Sequence, residues 1–460
     1  MTRARLVRGG LSLALWLCWT VPLHAFHTWK KDTLPNGMTL LVVEKADVPA
    51  VSFTLLVKHG TASESADKRG IAALTARLLT AGTRRWSDKQ IAERLAATGG
   101  VFVVDIGVDD TTIDWTVLKS DLVPALAALA EMIQHPLFPQ TAVKQKRATV
   151  QADLREKTEN DPRMLLLYAL FGDGPYGGWP SAGAQPLTPL TREDVVRFHR
   201  QTYRPDQVIL AAVGDITATE FKTIAVKYFG AWSAAPEPVH TPLALSVNKT
   251  PTVIIVDSPL VQASLRVAFV GTSATDLDAF ALELLAHVLA DGPESRLGQA
   301  LREQRGWTYA VRSNLESFKN TGMFVIAMSV PYELVLPALE QSARELLCLT
   351  TKPVTEAELA RAKQQAATRF AFATENLPDL VHFIARYDAL HTAQEPPERL
   401  LARLDRVTPA EIQQVARRYL HPQKAVVSIE GDRAALRKFA PNLAAGKMPQ
   451  WATQCNGEGQ

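Results

Sequence analysis

The chain has 460 residues, of which 47% are hydrophobic and 21% charged, a composition typical of a globular protein with two or more domains. Its formal net charge is +3, and three arginines near the start account for that excess, so the rest of the chain is close to neutral. Nucleic acids and anionic membrane surfaces favour a basic field, so we expect neither as a partner.

The first 25 residues have the pattern of a secretory signal peptide. A basic start precedes an apolar run from Leu11 to Val21, and the small Ala25 suits the residue before a cleavage site. The run is short for a membrane helix, and no later segment is long and apolar enough to span a bilayer. We expect an exported, periplasmic protein with no membrane span after cleavage. A membrane anchor in the same segment is the alternative.

The elements that follow alternate between strands and helices. "LLVVEKADVPAVSFTLLVKHG" predicts a pair of strands, and "GIAALTARLLTAGT" predicts an amphipathic helix over 70–82. Ser87 and Gln90 form a capping box for a second helix. "VFVVDIGVDDTTIDWTVL" then predicts two more strands, and two helices follow.

The second part of the chain repeats this order. "LTREDVVRFHRQTYRPDQVILAAVGD" at 190–215 matches "VTPAEIQQVARRYLHPQKAVVSIEGD" at 407–432. Each begins with a threonine followed three residues later by an acid, which is a helix-start signal, and each ends in an apolar strand closed by Gly-Asp. Similarity at this separation indicates a duplicated domain, because solenoid repeats are much shorter.

The sequence therefore predicts an α+β protein of two tandem duplicated domains, each an antiparallel sheet with helices packed on one face. The predicted boundaries are 1–25 for the signal peptide, 26–231 for the N-terminal domain, 232–251 for a Pro-rich linker, 252–446 for the C-terminal domain and 447–460 for a polar tail. Cleavage of the signal would remove Cys18 and leave Cys348 and Cys455. An oxidising compartment permits a disulfide between these two, but the sequence leaves their pairing open.

Several motifs, in order, resemble the pitrilysin/insulinase family of zinc metallopeptidases, the inverzincins. They are "TLPNGMTLLVVE", "KHGTASESADKRGIAALTARLLTAGT", "GPYGGWPSAGAQPLTPLTREDVVRFHRQTYRPDQVILAAVGDI" and "LREQRGWTYAV". The resemblance covers most of the chain, and it implies tandem αβ-roll domains. In the family, two such pairs of domains close around a peptide.

The resemblance has a gap at the metal site. In active members the first helix carries His-x-x-Glu-His, which places two zinc ligands and a general base on one helical face. The aligned positions here are Ala73, Ala76 and Arg77, and the distant third ligand aligns with Asp153. We interpret Asp153 as a solvated helix residue and expect no zinc on this chain. In the second half, His287 stands at the position that matches Arg77, and we interpret it as structural.

Another part of the family's machinery is present. The family's C-terminal domain supplies an arginine and a tyrosine seven residues apart, and Arg302 and Tyr309 fit that spacing, with Arg305 as the alternative arginine. The resemblance implies that this pair binds the substrate backbone and polarises its carbonyl.

The resemblance thus favours a non-catalytic, substrate-binding subunit of a heteromeric zinc peptidase. A sister chain with an intact His-x-x-Glu-His motif would carry the zinc, and extended peptides would be the substrates. A structural or assembly protein of the same fold, and a free-standing peptidase with an atypical metal site, are the alternatives.

Overall fold

The computed structural model describes residues 29–177, 189–233, 245–248, 250–391 and 398–449, together with Trp451 and Cys455. The predicted signal peptide, most of the predicted linker and most of the polar tail lie outside the described residues. The domain boundaries therefore stay predictions. In the described part, no helix is both long enough and apolar enough to cross a membrane.

The first half forms a six-stranded sheet in the order β1-β2-β6-β3-β5-β4. Its strands are β1 (Lys30–Thr33), β2 (Thr39–Glu44), β3 (Ala50–Val57), β4 (Val101–Ile106), β5 (Thr111–Leu118) and β6 (Val208–Gly214). Its helices are α1 (Ile71–Leu78), α2 (Asp88–Ala97), α3 (Leu122–Gln134), α4 (Gln140–Asn160), α5 (Pro162–Phe171), α6 (Arg192–Thr202) and α7 (Ala218–Phe229).

The second half repeats this plan in a five-stranded sheet with the order β7-β11-β8-β10-β9. Its strands are β7 (Thr252–Asp257), β8 (Ala263–Val270), β9 (Val311–Ser317), β10 (Gly322–Val330) and β11 (Val426–Gly431). Its helices are α8 (Asp278–Ala290), α9 (Val335–Thr351), α10 (Glu356–Ala373), α11 (Leu377–His391), α12 (Glu398–Arg406), α13 (Pro409–Tyr419), α14 (Arg433–Phe439) and α15 (Pro441–Ala444), with a π-helical turn at Gly298–Glu303.

Strand pairing confirms the predicted α+β duplication and refines the sheet type. Apart from β1, each strand of the first sheet has a counterpart at the same place in the second. Most neighbours are antiparallel, as predicted, but β2 pairs with β6 and β7 pairs with β11 in parallel. The sheets are therefore mixed, because in each half the last strand returns across helices and joins the sheet beside the first long strand.

Helices cover both faces of each sheet, whereas the sequence predicted helices on one face. Each half packs its own helices against one face, around separate cores. The other face is covered by a helix of the opposite half: α11 packs on the first sheet through Leu380, Val381 and Ile384, and α5 packs on the second sheet. The central strand β6 is buried along its whole length, as expected for a strand covered on both faces.

A disulfide joins Cys348 of α9 to Cys455, with the two Cα atoms 4.9 Å apart. The sequence left this pairing open. Trp451, just before the bond, packs against the core of the second half. The disulfide thus holds the end of the chain against the second half.

Candidate functional site

Helix α1, the counterpart of the family's zinc-binding helix, begins at a left-handed glycine and a buried carboxylate. Gly70 has φ 87, and Glu64 accepts hydrogen bonds at 2.9 Å from the backbone N–H groups of Gly70 and Ala72. These two donors have no partner inside the helix, so the carboxylate caps it. Burial raises the pKa of Glu64 to about 7. The helix ends at Leu78, four residues earlier than the sequence predicted.

The three motif positions on α1 offer no metal ligand. Ala76 is buried and Ala73 half-buried, and neither has a donor atom in its side chain. The guanidinium of Arg77 lies 2.6 Å from the carboxylate of Asp153 on α4. A permanent cation is therefore bound to the one carboxylate that aligns with the third zinc ligand. These residues do not fit a zinc ion.

Asp153 was interpreted from the sequence as a solvated helix residue. Its side chain is 38% exposed, and that of Arg77 is 36% exposed, so the two form an ion pair at the surface between α1 and α4. Across the described ranges, no group of three or more His, Cys, Asp or Glu side chains is placed to hold a metal ion.

The second half has a different set of charges at the equivalent place. His287 on α8 is 2% exposed, and its Nδ1 atom lies 2.6 Å from the Asp291 carboxylate. Its Nε2 atom has no hydrogen-bond partner among the described residues and lies 3.6 Å from Glu283. Arg369 on α10 lies 3.8 Å from Asp291. The buried histidine is held by a neighbouring carboxylate, in line with its interpretation as structural.

The structure brings Arg302 and Tyr309 together on the second half. The guanidinium of Arg302, in the π-helical turn, lies 5.2 Å from the centre of the Tyr309 ring. Gly306 has φ 63 and turns the chain between them. Tyr309 is 86% exposed, although its ring is large and apolar, and it lies two residues before β9.

Arg302 and Arg305 make different contacts. Arg305 donates a hydrogen bond at 2.7 Å to the carbonyl oxygen of Ala300 and lies over the ring of Trp307. Among the described residues, the Arg302 side chain contacts the Tyr309 ring and, at 3.4 Å, the carboxylate of its neighbour Glu303. Arg305 is therefore bound to the backbone of its own turn, whereas the contacts of Arg302 are with two neighbouring side chains.

Exposed sheet edges that could bind a peptide are expected from the sequence, but the sequence did not identify the strand that forms the edge of the first sheet. β4 is the outermost strand, and Val101 and Val103 on it are 68% and 46% exposed. No described strand pairs with its outer edge. An outer strand presents unpaired N–H and C=O groups, so this edge can accept a further strand. The run VFVVDI is apolar at almost every position, so its pattern did not reveal which side chains face solvent.

Two models of one peptidase family match the chain. Insulinase (Peptidase family M16) matches residues 40–176, and Peptidase M16 inactive domain matches residues 189–366. An uncharacterized zinc protease of Streptomyces coelicolor is 26% identical over 425 residues, which cover 90% of this chain and 92% of the relative. A probable mitochondrial-processing peptidase subunit beta of Arabidopsis thaliana is 23% identical over 418 residues, which cover 87% of this chain and 77% of the relative.

Solved structures share the fold. The peptidase M16 inactive domain from Pseudomonas fluorescens has a TM-score of 0.76 and 22% identity, covering 88% of this chain and 98% of that one. A protease from Helicobacter pylori has the same TM-score at 18% identity, covering 88% and 100%. The family predicted from the sequence motifs is confirmed: the two models together match more than half of the chain, and the chain belongs to the M16 (insulinase/pitrilysin) family of peptidases.

Proposed function

We propose that this chain is the non-catalytic, substrate-binding subunit of an exported heteromeric zinc peptidase. The observation that carries the proposal is the Arg77–Asp153 ion pair. Hydrolysis by zinc needs three protein ligands and a bound water. Here alanines and a paired guanidinium stand at those positions, so the zinc and its water come from a sister chain with an intact His-x-x-Glu-His motif.

The exposed Arg302 and Tyr309 support a role in the reaction rather than in assembly alone. A guanidinium and a phenol donate hydrogen bonds, and in the complex they bind the peptide carbonyl on which negative charge develops. Neither side chain is needed for the core, because both lie at the surface. Their exposure is explained by a ligand that covers them in the assembled enzyme.

An extended peptide binds by adding a strand to β4. Main-chain hydrogen bonds give such a complex affinity with little dependence on sequence, and the exposed Val101 and Val103 contact apolar side chains of the peptide. Substrates of this kind are unfolded or short peptides.

The disulfide supports the proposal that the chain is exported. The bond between Cys348 and Cys455 is favoured by an oxidising compartment such as the periplasm, where the predicted signal peptide would direct the chain.

The experiment compares this chain, a sister chain from the same genome that has the intact motif, and the two mixed. We expect zinc in the sister chain only, and peptide cleavage by the mixture only. In the mixture, Arg302→Ala and Tyr309→Phe should each lower kcat, by about 100-fold for the arginine, the size typical of losing one oxyanion donor. Arg437→Ala removes an exposed arginine of α14 in the same half and serves as the control.

Two results would overturn the proposal. Stoichiometric zinc and chelator-sensitive cleavage by this chain alone would make it a free-standing peptidase. If the mixture keeps full activity when Arg302 and Tyr309 are both replaced, the role of the chain is structural.

A further inference from the structure

A cavity of about 350 Å³ lies in the second half, between helices α8, α10 and α11 and the edge strand β9. Aromatic and aliphatic side chains form most of its wall, among them Phe280, Leu315, Phe370, Phe383 and Leu390. For scale, an apolar cavity of about 150 Å³ accommodates a benzene molecule. This cavity therefore has room for one large apolar side chain.

The duplication places this cavity where the first half has its degenerate metal site. α8 is the counterpart of α1, and β9 occupies the edge of its sheet as β4 does in the first half. Arg369 stands at the same distance from the start of α10 as Asp153 from the start of α4. In the first half, Arg77 and Asp153 join the two helices across this place. In the second half, Glu283 and Arg369 of the equivalent helices line a mostly apolar cavity, beside the His287–Asp291 pair.

The edge strand β9 forms one side of the cavity. Leu315 and Ser317 line it, and Ser313 lies on the same face of the strand, with its hydroxyl bonded to a carbonyl of α8. Within the described ranges, β9 has a strand neighbour on one side only. A peptide that pairs with its open edge directs every second side chain toward the helix face, the face on which Leu315 and Ser317 line the cavity.

Two charged side chains, Glu283 and Arg369, also line the cavity, and both are partly exposed to solvent. Glu283 is one-third exposed, and Arg369 is half exposed and faces Asp291. A charged peptide side chain would lose water inside the cavity without gaining a buried partner. The lining therefore selects an uncharged, apolar side chain.

We propose that this cavity is a specificity pocket for a large apolar side chain, such as Phe, Leu or Met, of an extended peptide bound along β9. The inference rests on the proposed function for its ligand, because it takes the substrate to be a peptide, and it assigns β9 as a second edge for that peptide besides β4. It adds a sequence preference that strand addition alone does not supply.

The test measures binding of two labelled peptides to the mature full-length chain by fluorescence anisotropy. The peptides are identical except for one central residue, Phe in the first and Ser in the second. Burial of a Phe side chain is worth about 1.5–3 kcal/mol, so we expect the Phe peptide to bind about 10- to 100-fold more tightly.

Blocking the cavity should remove this preference. Ala373 is an exposed residue at the rim, and Ala373→Trp would fill the mouth, while Ala373→Leu is a milder second variant. Ala371→Trp adds the same ring to an exposed position of the same helix end that does not line the cavity, and it is the matched control. We expect equal affinities for both peptides in the Ala373 variants and an unchanged preference in the control.

The outcomes separate this inference from the proposed function. Equal binding of both peptides to the wild-type chain, or a Phe preference that survives both folded Ala373 variants, overturns the pocket but leaves a peptide-binding subunit. Failure of the wild-type chain to bind either peptide contradicts the proposed function itself. Circular dichroism of each variant identifies any that has not folded.

Discussion

Glu64 and His199 are two buried side chains of the first half. We expect them to change the stability of the protein with pH in opposite directions. Glu64 is 2% exposed at the start of α1, and burial raises its pKa from 4.5 to about 7. Between these values the folded protein keeps a proton that the unfolded chain has released. Stability is therefore lost as the pH rises through this window. Each pKa unit corresponds to about 1.4 kcal/mol, so the full effect is about 3 kcal/mol.

His199 acts in the other direction. It is 9% exposed on α6, its Nε2 atom lies 2.8 Å from the carbonyl oxygen of Ile133, and burial lowers its pKa from 6.5 to about 4. The Nε2 atom donates to that carbonyl. Below pH 6.5 the unfolded chain binds a proton that the folded protein excludes, so stability falls as the pH is lowered toward 4. The full contribution of His199 to the free energy of unfolding is also about 3 kcal/mol. Where its pH range overlaps that of Glu64, the two contributions cancel.

The assay is urea unfolding of the wild-type chain and of Glu64→Gln and His199→Gln between about pH 5 and 6, where both windows apply. The other titratable groups are the same in all three proteins. Differences in the slope of the unfolding free energy against pH therefore report the contributions of Glu64 and His199 alone. Relative to wild type, Glu64→Gln should gain stability with rising pH by about 1.4 kcal/mol per pH unit. His199→Gln should lose stability at the same rate. If the slope is unchanged in Glu64→Gln, the carboxyl is not held protonated by burial and the reasoning is refuted.

The degenerate metal site and the disulfide each give a further prediction. A double-mutant cycle with Arg77→Ala and Asp153→Ala should give a coupling energy below about 1 kcal/mol in urea unfolding, because both side chains are one-third exposed. A coupling of several kcal/mol would show that the pair holds the two helices together. Cys348→Ser should lower the free energy of unfolding by about 2–4 kcal/mol, since the bond to Cys455 closes a loop spanning 107 residues. An unfolding curve identical to wild type would contradict this.

Local signals explain why the duplicated plan could be predicted. The threonines at 191 and 408 each form a capping box with the acid three residues later, as the sequence predicted. A helix start, a proline turn and an apolar strand are determined within a few residues of each other. Two copies of such a set, separated by an entire domain, were enough to identify the duplication.

The exchange of helices between halves could not be predicted in the same way. α11 has a regular apolar face, but an apolar face does not say which sheet it covers. Leu380, Val381 and Ile384 are buried against strands more than 160 residues away in the chain. Because such contacts are set by the tertiary arrangement, the sequence assigned each helix to its own half.

The candidate site was likewise predictable in part. The sequence showed directly that Ala73 and Ala76 lack donor atoms. It did not show that Arg77 would pair with Asp153, because the two lie on different helices and each alone has the pattern of an exposed helix residue. The exposed edge β4 and the cavity beside β9 also depend on packing between distant segments. The sequence contained their residues but no pattern that joined them.

The local structure also explains how a metal site can be lost without loss of the fold. α1 is held by Ile71, Leu74 and Leu78 in the core and by the Glu64 cap, and none of these depends on a bound ion. Arg77, at one of the positions that align with the family's zinc ligands, pairs instead with Asp153 of α4. The residues that hold this helix in the fold are therefore not the ones that align with the family's zinc ligands, so the fold of the helix is independent of whether those positions can bind a metal.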